Sequence, residues 1–311
     1  MKREFQYPSR DGVTQIHAIE WEPEGEIHAV MQLCHGMVEF IDRYDAFAKY
    51  LNEHGIYVVG HDHLGHGKSV SEGGSFGYFC EQDPATVVVR DVHRLKKITE
   101  EQYPQVPYII LGHSMGSFIA RNYLCRYGSG IGGAVIVGTG MQPAGLIFAS
   151  KAMAGIQKLF CGSKHVSHFM DKAAFGGYNK RIDSPRTSSD WLSRNTENVD
   201  RYIEDELCGF TFTVNGFQTL FELIRRLQKQ ENLEKVPQNL PILMVSGAED
   251  PVGDYGKGVH KACDSLKRAG VKNITVKLYE NDRHELLNED AAEVAMEDIW
   301  QWICKEIPGI A

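Results

Sequence analysis

No apolar run in this 311-residue chain approaches the ~18 residues that a membrane-spanning helix needs. The start is basic, Met1-Lys2-Arg3. Glu4-Phe5-Gln6-Tyr7-Pro8 then follows in place of the apolar stretch of ~7–15 residues that a secretory signal requires. The expectation is a cytoplasmic protein. Cysteine is scarce and scattered: Cys34, Cys80, Cys125, Cys161, Cys208, Cys263 and Cys304 make an odd set without a C-x-x-C pair. That excludes a disulfide framework or a zinc site as the organising device and reads as reduced, packed thiols. Positive charge is short as well, 33 Lys and Arg against 41 Asp and Glu, for a net charge of −8. A phosphate backbone needs a basic face, so nucleic acid is not the expected partner. There is no internal repeat and no low-complexity tract. With 42% hydrophobic and 24% charged residues the chain is long enough to bury a large core.

What is present is an alternation. Short β-rich runs at Ala29–Cys34, Tyr57–His61, Tyr108–Leu111, Ala134–Val137, Pro241–Ser246 and Ile274–Tyr279 read as strands. Helical patterns lie near Tyr44–His54, Ala85–Gln102, Met115–Tyr127, Phe217–Gln230, Gly256–Ala269 and Ala291–Lys305. This order predicts an α/β fold, a mostly parallel central sheet with helices on both faces. Phe5–Tyr7 and Val13–Glu22 suit an antiparallel edge hairpin. Between residues 141 and 215 the rhythm breaks. Leu146, Ile147, Met153, Ile156, Leu159 and Phe160 there mark an amphipathic helix, followed by a polar tract and the acidic Glu204-Asp205-Glu206. The expected organisation is a core of residues 1–140 and 216–311 with an inserted cap, 141–215.

The pattern G-x-S-x-G, which places a serine on a sharp strand-to-helix turn, occurs twice. In Gly112-His113-Ser114-Met115-Gly116 the serine follows the apolar Tyr108-Ile109-Ile110-Leu111 and precedes a helical pattern. In Gly73-Gly74-Ser75-Phe76-Gly77 both flanks read as loop. Ser114 is therefore the candidate nucleophile, and Ser75 reads as part of a flexible glycine loop.

A serine hydroxyl needs a histidine to take its proton and a carboxylate to orient that histidine. With the nucleophile on an elbow of this kind, the chain order is Ser, acid, His, each on a loop after a later strand. Asp250 lies three residues past the strand ending at Gly247 and is followed by Pro251; Glu249 and Asp254 are its rivals. His284 follows the strand Ile274–Tyr279 and the turn Asn281-Asp282-Arg283. Charge on a tetrahedral intermediate would be met by the backbone N–H of Met115, just past the nucleophile, and of Met37, in the loop His35-Gly36-Met37-Val38-Glu39. The methionine side chains would then line the acyl pocket. His61-Asp62-His63-Leu64-Gly65-His66 invites a metal reading, but the acid that an H-x-H-x-D-H hydrolase needs at position 65 is a glycine. It reads as a structural loop, and no metal or other cofactor is expected.

These separated motifs together resemble an α/β-hydrolase of the monoacylglycerol lipase and lysophospholipase family, bacterial in style. The resemblance rests on His35-Gly36-Met37-Val38-Glu39 with Arg43-Tyr44, Asp62-His63-Leu64-Gly65-His66-Gly67-Lys68-Ser69, Gly112-His113-Ser114-Met115-Gly116, the loop of Asp250, and Arg283-His284-Glu285 with Asn288-Glu289. It implies the α/β-hydrolase fold, a triad of Ser114, Asp250 and His284, and Met37 and Met115 as oxyanion donors. Leu64 and Phe40 depart from the family's usual Arg and His, outside the triad. The implied activity is hydrolysis of carboxylic esters, of monoacylglycerols or lysophospholipids, through an acyl-enzyme. A thioesterase, a peptidase or another esterase of the same fold is the alternative, and a non-catalytic binding protein the more distant one.

Leu146, Ile147, Met153 and Ile156 are the expected acyl-chain contacts, with cap-to-core packing as the competing reading. Charge is uneven along the chain. Residues 141–182 hold Lys151, Lys158, Lys164, Lys172, Lys180 and Arg181 against Asp171 alone. Basic and apolar residues on one lid imply transient contact with an anionic membrane surface; the plainer reading is solvated lysines on a cap helix.

Overall fold

Side chains alternate strictly on the central strands. Val30, Cys34, Tyr108 and Ile110 belong to the core on one face of the sheet, and Met31, Leu33, Ile109 and Leu111 to the core on the other. A strand buried on both sides reads as a continuous apolar run, which is how these segments look in sequence. The computed structural model describes residues 1–310. Strands form at Lys2–Pro8 (β1), Gln15–Trp21 (β2), Ala29–Cys34 (β3), Ile56–His61 (β4), Tyr108–His113 (β5), Gly133–Val137 (β6), Ile242–Gly247 (β7) and Ile274–Tyr279 (β8). They make one sheet in the order β1-β2-β4-β3-β5-β6-β7-β8. β1 and β2 are antiparallel to their neighbours, and β4 to β8 with β3 run parallel. This is the α/β-hydrolase fold.

Helices form at Asp45–Glu53 (α1), Pro84–Gln102 (α2), Met115–Tyr127 (α3), Ala144–Cys161 (α4), His168–Phe175 (α5), Thr196–Glu204 (α6), Val214–Leu227 (α7), Gln230–Leu233 (α8), Lys257–Arg268 (α9) and Ala292–Glu306 (α10). α1 and α10 cover one face through Phe47, Leu51, Ile299 and Trp302. α2, α3, α7 and α9 cover the other through Val88, Phe118, Phe217 and Val259. β2 begins at Gln15, later than the alternation suggests, because Asp11 draws the N–H groups of Val13 and Thr14 into a turn. α7 begins at Val214, three residues before its apolar periodicity, because the Thr213 hydroxyl caps the Gly216 N–H.

The long excursion between β6 and β7 carries α4, α5 and α6, then returns to the core through α7. Ser167 caps α5 and Asn195 caps α6. A bridge between Val166 and Thr213 ties the excursion to the start of α7. The apolar stripe of α4 does not face one way. Ile147 and Ala154 are buried, while Leu146 and Ile156 are 55% and 59% exposed, and Leu159 and Phe160 more so. Helical periodicity says which residues share a face; it does not say whether anything covers that face.

Candidate active site

The last residue of β5 and the first of α3 flank Ser114, whose backbone adopts φ 53° and ψ −120°. A non-glycine residue with positive φ is strained, and that strain lifts the hydroxyl above the sheet edge. The turn is held by the Ser114 N–H donating to Val137 O at 3.0 Å and the Ser117 N–H donating to Ser114 O at 2.9 Å. It also needs Gly116, where an added Cβ would overlap the Cys34 carbonyl oxygen. Gly36 passes close to it as well: an added Cβ would stand 3.1 Å from Cβ of Ser114. The loop after β3 therefore runs alongside Ser114, and Met37 is the next residue in it. Among the described residues, neither the Met37 N–H nor the Met115 N–H has a protein acceptor. The Met115 N–H belongs to the first turn of α3, where the helix leaves donors free and favours negative charge. The Met115 side chain itself is buried in the core, not lining an open pocket, while Met37 is half-buried.

Asp250 is fully buried after β7. Its Oδ1 accepts the Val252 N–H at 2.8 Å, and its Oδ2 accepts the Ser246 hydroxyl at 3.1 Å and His284 Nδ1 at 3.0 Å. A carboxylate accepts, so Nδ1 carries the proton and Nε2 is left as the base. Glu249 is engaged elsewhere, by both forks of the Arg194 guanidinium. Asp254 is exposed and makes no hydrogen bond to His284. The structure thus brings Asp250, not its neighbours, to the histidine. Among the described residues no hydrogen bond joins Ser114 Oγ to His284, and such bonds commonly tighten only with substrate in place. The Trp191 ring, from the excursion, packs on His284 at 5.1 Å between centroids.

A second ring of polar residues surrounds this site, and the sequence motifs assign it no role. His113 donates from Nε2 to the His284 carbonyl at 3.1 Å, with Nδ1 against Tyr44 Oη at 2.9 Å and Glu39 Oε1 at 3.2 Å. Glu39 also accepts the Gly36 N–H and, at 2.8 Å, Arg43 Nη1. Arg43 grips Glu285 through two 2.7 Å bonds, and Asn198 of α6 donates to Glu285 at 2.7 Å. Burial disfavours the charge on Glu39, but the His113 hydrogen bond and the Arg43 charge outweigh it, holding the carboxyl well below its usual range. Burial alone would lower the His113 pKa; Glu39 outweighs it and raises it. The i, i+4 spacing of Glu39 and Arg43 was the available signal. Nothing in the sequence pointed to Glu285 or Asn198 as their partners.

Four histidines beneath the loop pack against one another, His35 tilted on His63 at 4.2 Å and His61 edge-on to His63 at 4.8 Å between centroids. Burial pushes His35, His61 and His63 well below their ordinary pKa, and His66 to about 4. His63 N–H donates to His35 Nε2 at 2.9 Å. Asp62 accepts the Ile41 N–H at 2.8 Å and the Lys68 N–H at 2.9 Å. Burial thus disfavours charge on these four imidazoles, and the cluster braces the loop holding Met37. Leu146, Ile147, Met153 and Ile156 do not converge on one cavity. The first and last face outward, Ile147 lies in the core and Met153 is half-buried.

Residues 25–291 match the family model described as serine aminopeptidase, S33. The chain is 28% identical to the monoglyceride lipase of Rattus norvegicus over 291 residues, 92% of this chain and 86% of the relative. It is 26% identical to the monoacylglycerol lipase of Mycolicibacterium smegmatis over 307 residues, 98% of each. A thermostable carboxyl esterase from Bacillus coagulans, solved with glycerol, superposes with a TM-score of 0.92 at 29% identity, over 100% of this chain and 99% of that one.

Proposed function

The chain belongs to the serine aminopeptidase S33 family of α/β-hydrolases, and on that premise we propose that it hydrolyses carboxylic esters of single-chain lipids, monoacylglycerols or lysophospholipids, through a Ser114–His284–Asp250 triad. The hydrogen bond from His284 Nδ1 to buried Asp250, beside a serine on a strained elbow, carries the reading. Ser114 Oγ attacks the ester carbonyl as His284 Nε2 takes its proton. The oxyanion is met by the N–H groups of Met37 and Met115, each such donor contributing about 3 kcal/mol to the transition state. His284 then gives the proton to the leaving alcohol, and water, activated the same way, releases the acid from the acyl-enzyme. No step needs a metal or other cofactor.

In this reading residues 141–215 are the cap, and its outer face meets the lipid surface where substrate resides. Leu146, Phe148, Ile156, Leu159 and Phe160 are all more than half exposed there. Lys151 and Lys158 on the same helix pair with Glu222 and Glu81, so the contact is chiefly apolar rather than electrostatic. Among the described residues no helix is long and apolar enough to cross a membrane. Co-sedimentation with anionic and neutral vesicles tests this face; no binding to either removes it.

The function is tested by labelling with a fluorophosphonate and by turnover of a short p-nitrophenyl ester. We expect Ser114→Ala to abolish both while circular dichroism is unchanged; retained turnover overturns the assignment. The family's description as aminopeptidases favours one further substrate class, aminoacyl amides. A panel of monoacylglycerols, lysophospholipids and aminoacyl amides compared by kcat/KM separates the two.

A further inference from the structure

The charge that makes residues 141–182 basic is not spread evenly. Lys151 and Lys158 are paired with carboxylates, and Lys164 stands over the Tyr78 ring at 5.3 Å. Among the described residues Lys172, Lys180 and Arg181 have no carboxylate partner. These three line two adjoining cavities of about 530 and 480 Å³ that share Tyr178 and Tyr255. Arg194 and Arg283 join them, so five cations face two carboxylates, Asp183 and Glu249.

The donors there are only partly used. Glu249 is gripped by Arg194. Arg283 Nη1 donates to the carbonyls of Asp190 at 2.7 Å and Ser193 at 3.1 Å, while its buried Nε has no hydrogen-bond partner, the nearest Glu249 oxygen lying 3.8 Å away. The Arg181 guanidinium lies 3.6 Å from the Tyr255 ring centroid and engages no acceptor among the described residues. That ring is held in place at a conformational cost. Asp254 and Tyr255 are consecutive non-glycine residues with φ of 48° and 54°. Such strain persists where the surroundings demand it, and here it seats the platform for Arg181.

Location gives the site its meaning. Trp191 lines the cavity and packs on the His284 ring. Arg283 directly precedes His284, and Pro251, in the second cavity, directly follows Asp250. An alcohol protonated by His284 must leave within hydrogen-bond reach of that ring. Whatever the alcohol carries then extends past Trp191 toward these cations. A group with several acceptor oxygens and net negative charge suits unpaired guanidinium and ammonium donors around such a space.

We propose that this cavity receives the phosphate carried by the leaving alcohol, so that single-chain glycerophospholipids are preferred over neutral monoacylglycerols with the same acyl chain. The proposal rests on the ester-hydrolase reading and narrows its substrate. Charge-assisted hydrogen bonds of about 1.5–3 kcal/mol correspond to roughly a 10–100-fold preference in kcat/KM. Arg181→Gln should cut the phosphate-ester to neutral-ester ratio about tenfold, mainly through KM, and Arg181→Lys should restore part of it.

Binding is measured separately on the Ser114→Ala protein, by calorimetry with glycerol 3-phosphate, glycerol and inorganic phosphate. The expected result is heat with glycerol 3-phosphate that 0.5 M NaCl and Arg181→Gln suppress, and none with glycerol. Inorganic phosphate binding as tightly as glycerol 3-phosphate, without ester preference, makes this a free-phosphate site and overturns the headgroup assignment. Equal turnover of both esters with no binding overturns the proposal and leaves the ester-hydrolase reading standing. Binding that needs Arg181, with no ester cleaved at all, supports the cavity and overturns the hydrolase reading.

Discussion

The sheet edge that holds Ser114, Asp250 and His284 and the excursion above it are built on opposite terms. At the sheet edge the polar side chains are buried and engaged: Asp250 accepts three hydrogen bonds, and Arg43 joins Glu39, Glu285 and Asn198. In the excursion large apolar side chains stand in solvent, and three cations have no carboxylate partner among the described residues. The first arrangement fixes atoms to within hydrogen-bond tolerance, as catalysis demands. The second keeps contact surface in reserve for something that arrives. On the proposed reading, reactivity and choice of substrate lie in different parts of the chain.

The sharpest way to break that contrast is Asp250→Asn. It keeps the shape but leaves His284 in the wrong tautomer, and kcat should fall about 10⁴-fold with little change in KM. A comparable loss from any single change in α4 would erase the distinction. Next comes Arg43→Gln, which leaves Glu39 and Glu285 buried without their cation. Breaking such a pair costs about 3–5 kcal/mol, read as a lower midpoint in urea denaturation. Because Arg43 also touches Asn198 of α6, hydrogen exchange in α6 should quicken more than in α4.

The pH response is smaller and its sign is set by His113. Its folded pKa is raised above the ordinary 6.5, so protonation stabilises the fold fully below about that pH and the contribution is lost as pH rises through the raised value. Thermal melts from pH 6 to 9 should show Tm falling across that window, and Glu39→Gln should flatten the slope. The smallest effect belongs to the outer face of α4. Phe160→Ser should change stability by less than about 0.5 kcal/mol while lowering vesicle binding. A large loss of stability there would mean that the face packs against the protein.

β5 was legible because burial on both faces leaves the unbroken apolar run Tyr108-Ile109-Ile110-Leu111. The elbow was legible because close approach at Gly112 and Gly116 leaves a fixed spacing around Ser114. The Arg43–Glu285 pair was not, because its members are 242 positions apart and a lone charge in sequence looks solvated. Exposure of Leu159 and Phe160 was not legible either, since an apolar residue carries no sign of what covers it. α5 and α6 were not legible because each is only about two turns long, too short for a helical pattern to stand out.

The bare backbone at Gly36 and Gly116 has a practical consequence for anyone redesigning this protein. With Cβ of Ser114 and the Cys34 carbonyl already so near, the floor of the candidate site lacks room for one more carbon. Random libraries aimed at the floor will return mostly inactive clones. On the proposed reading, variation in substrate has to come from the roof, and a library confined to Lys172, Lys180 and Arg181 samples it without touching Trp191, which packs on His284.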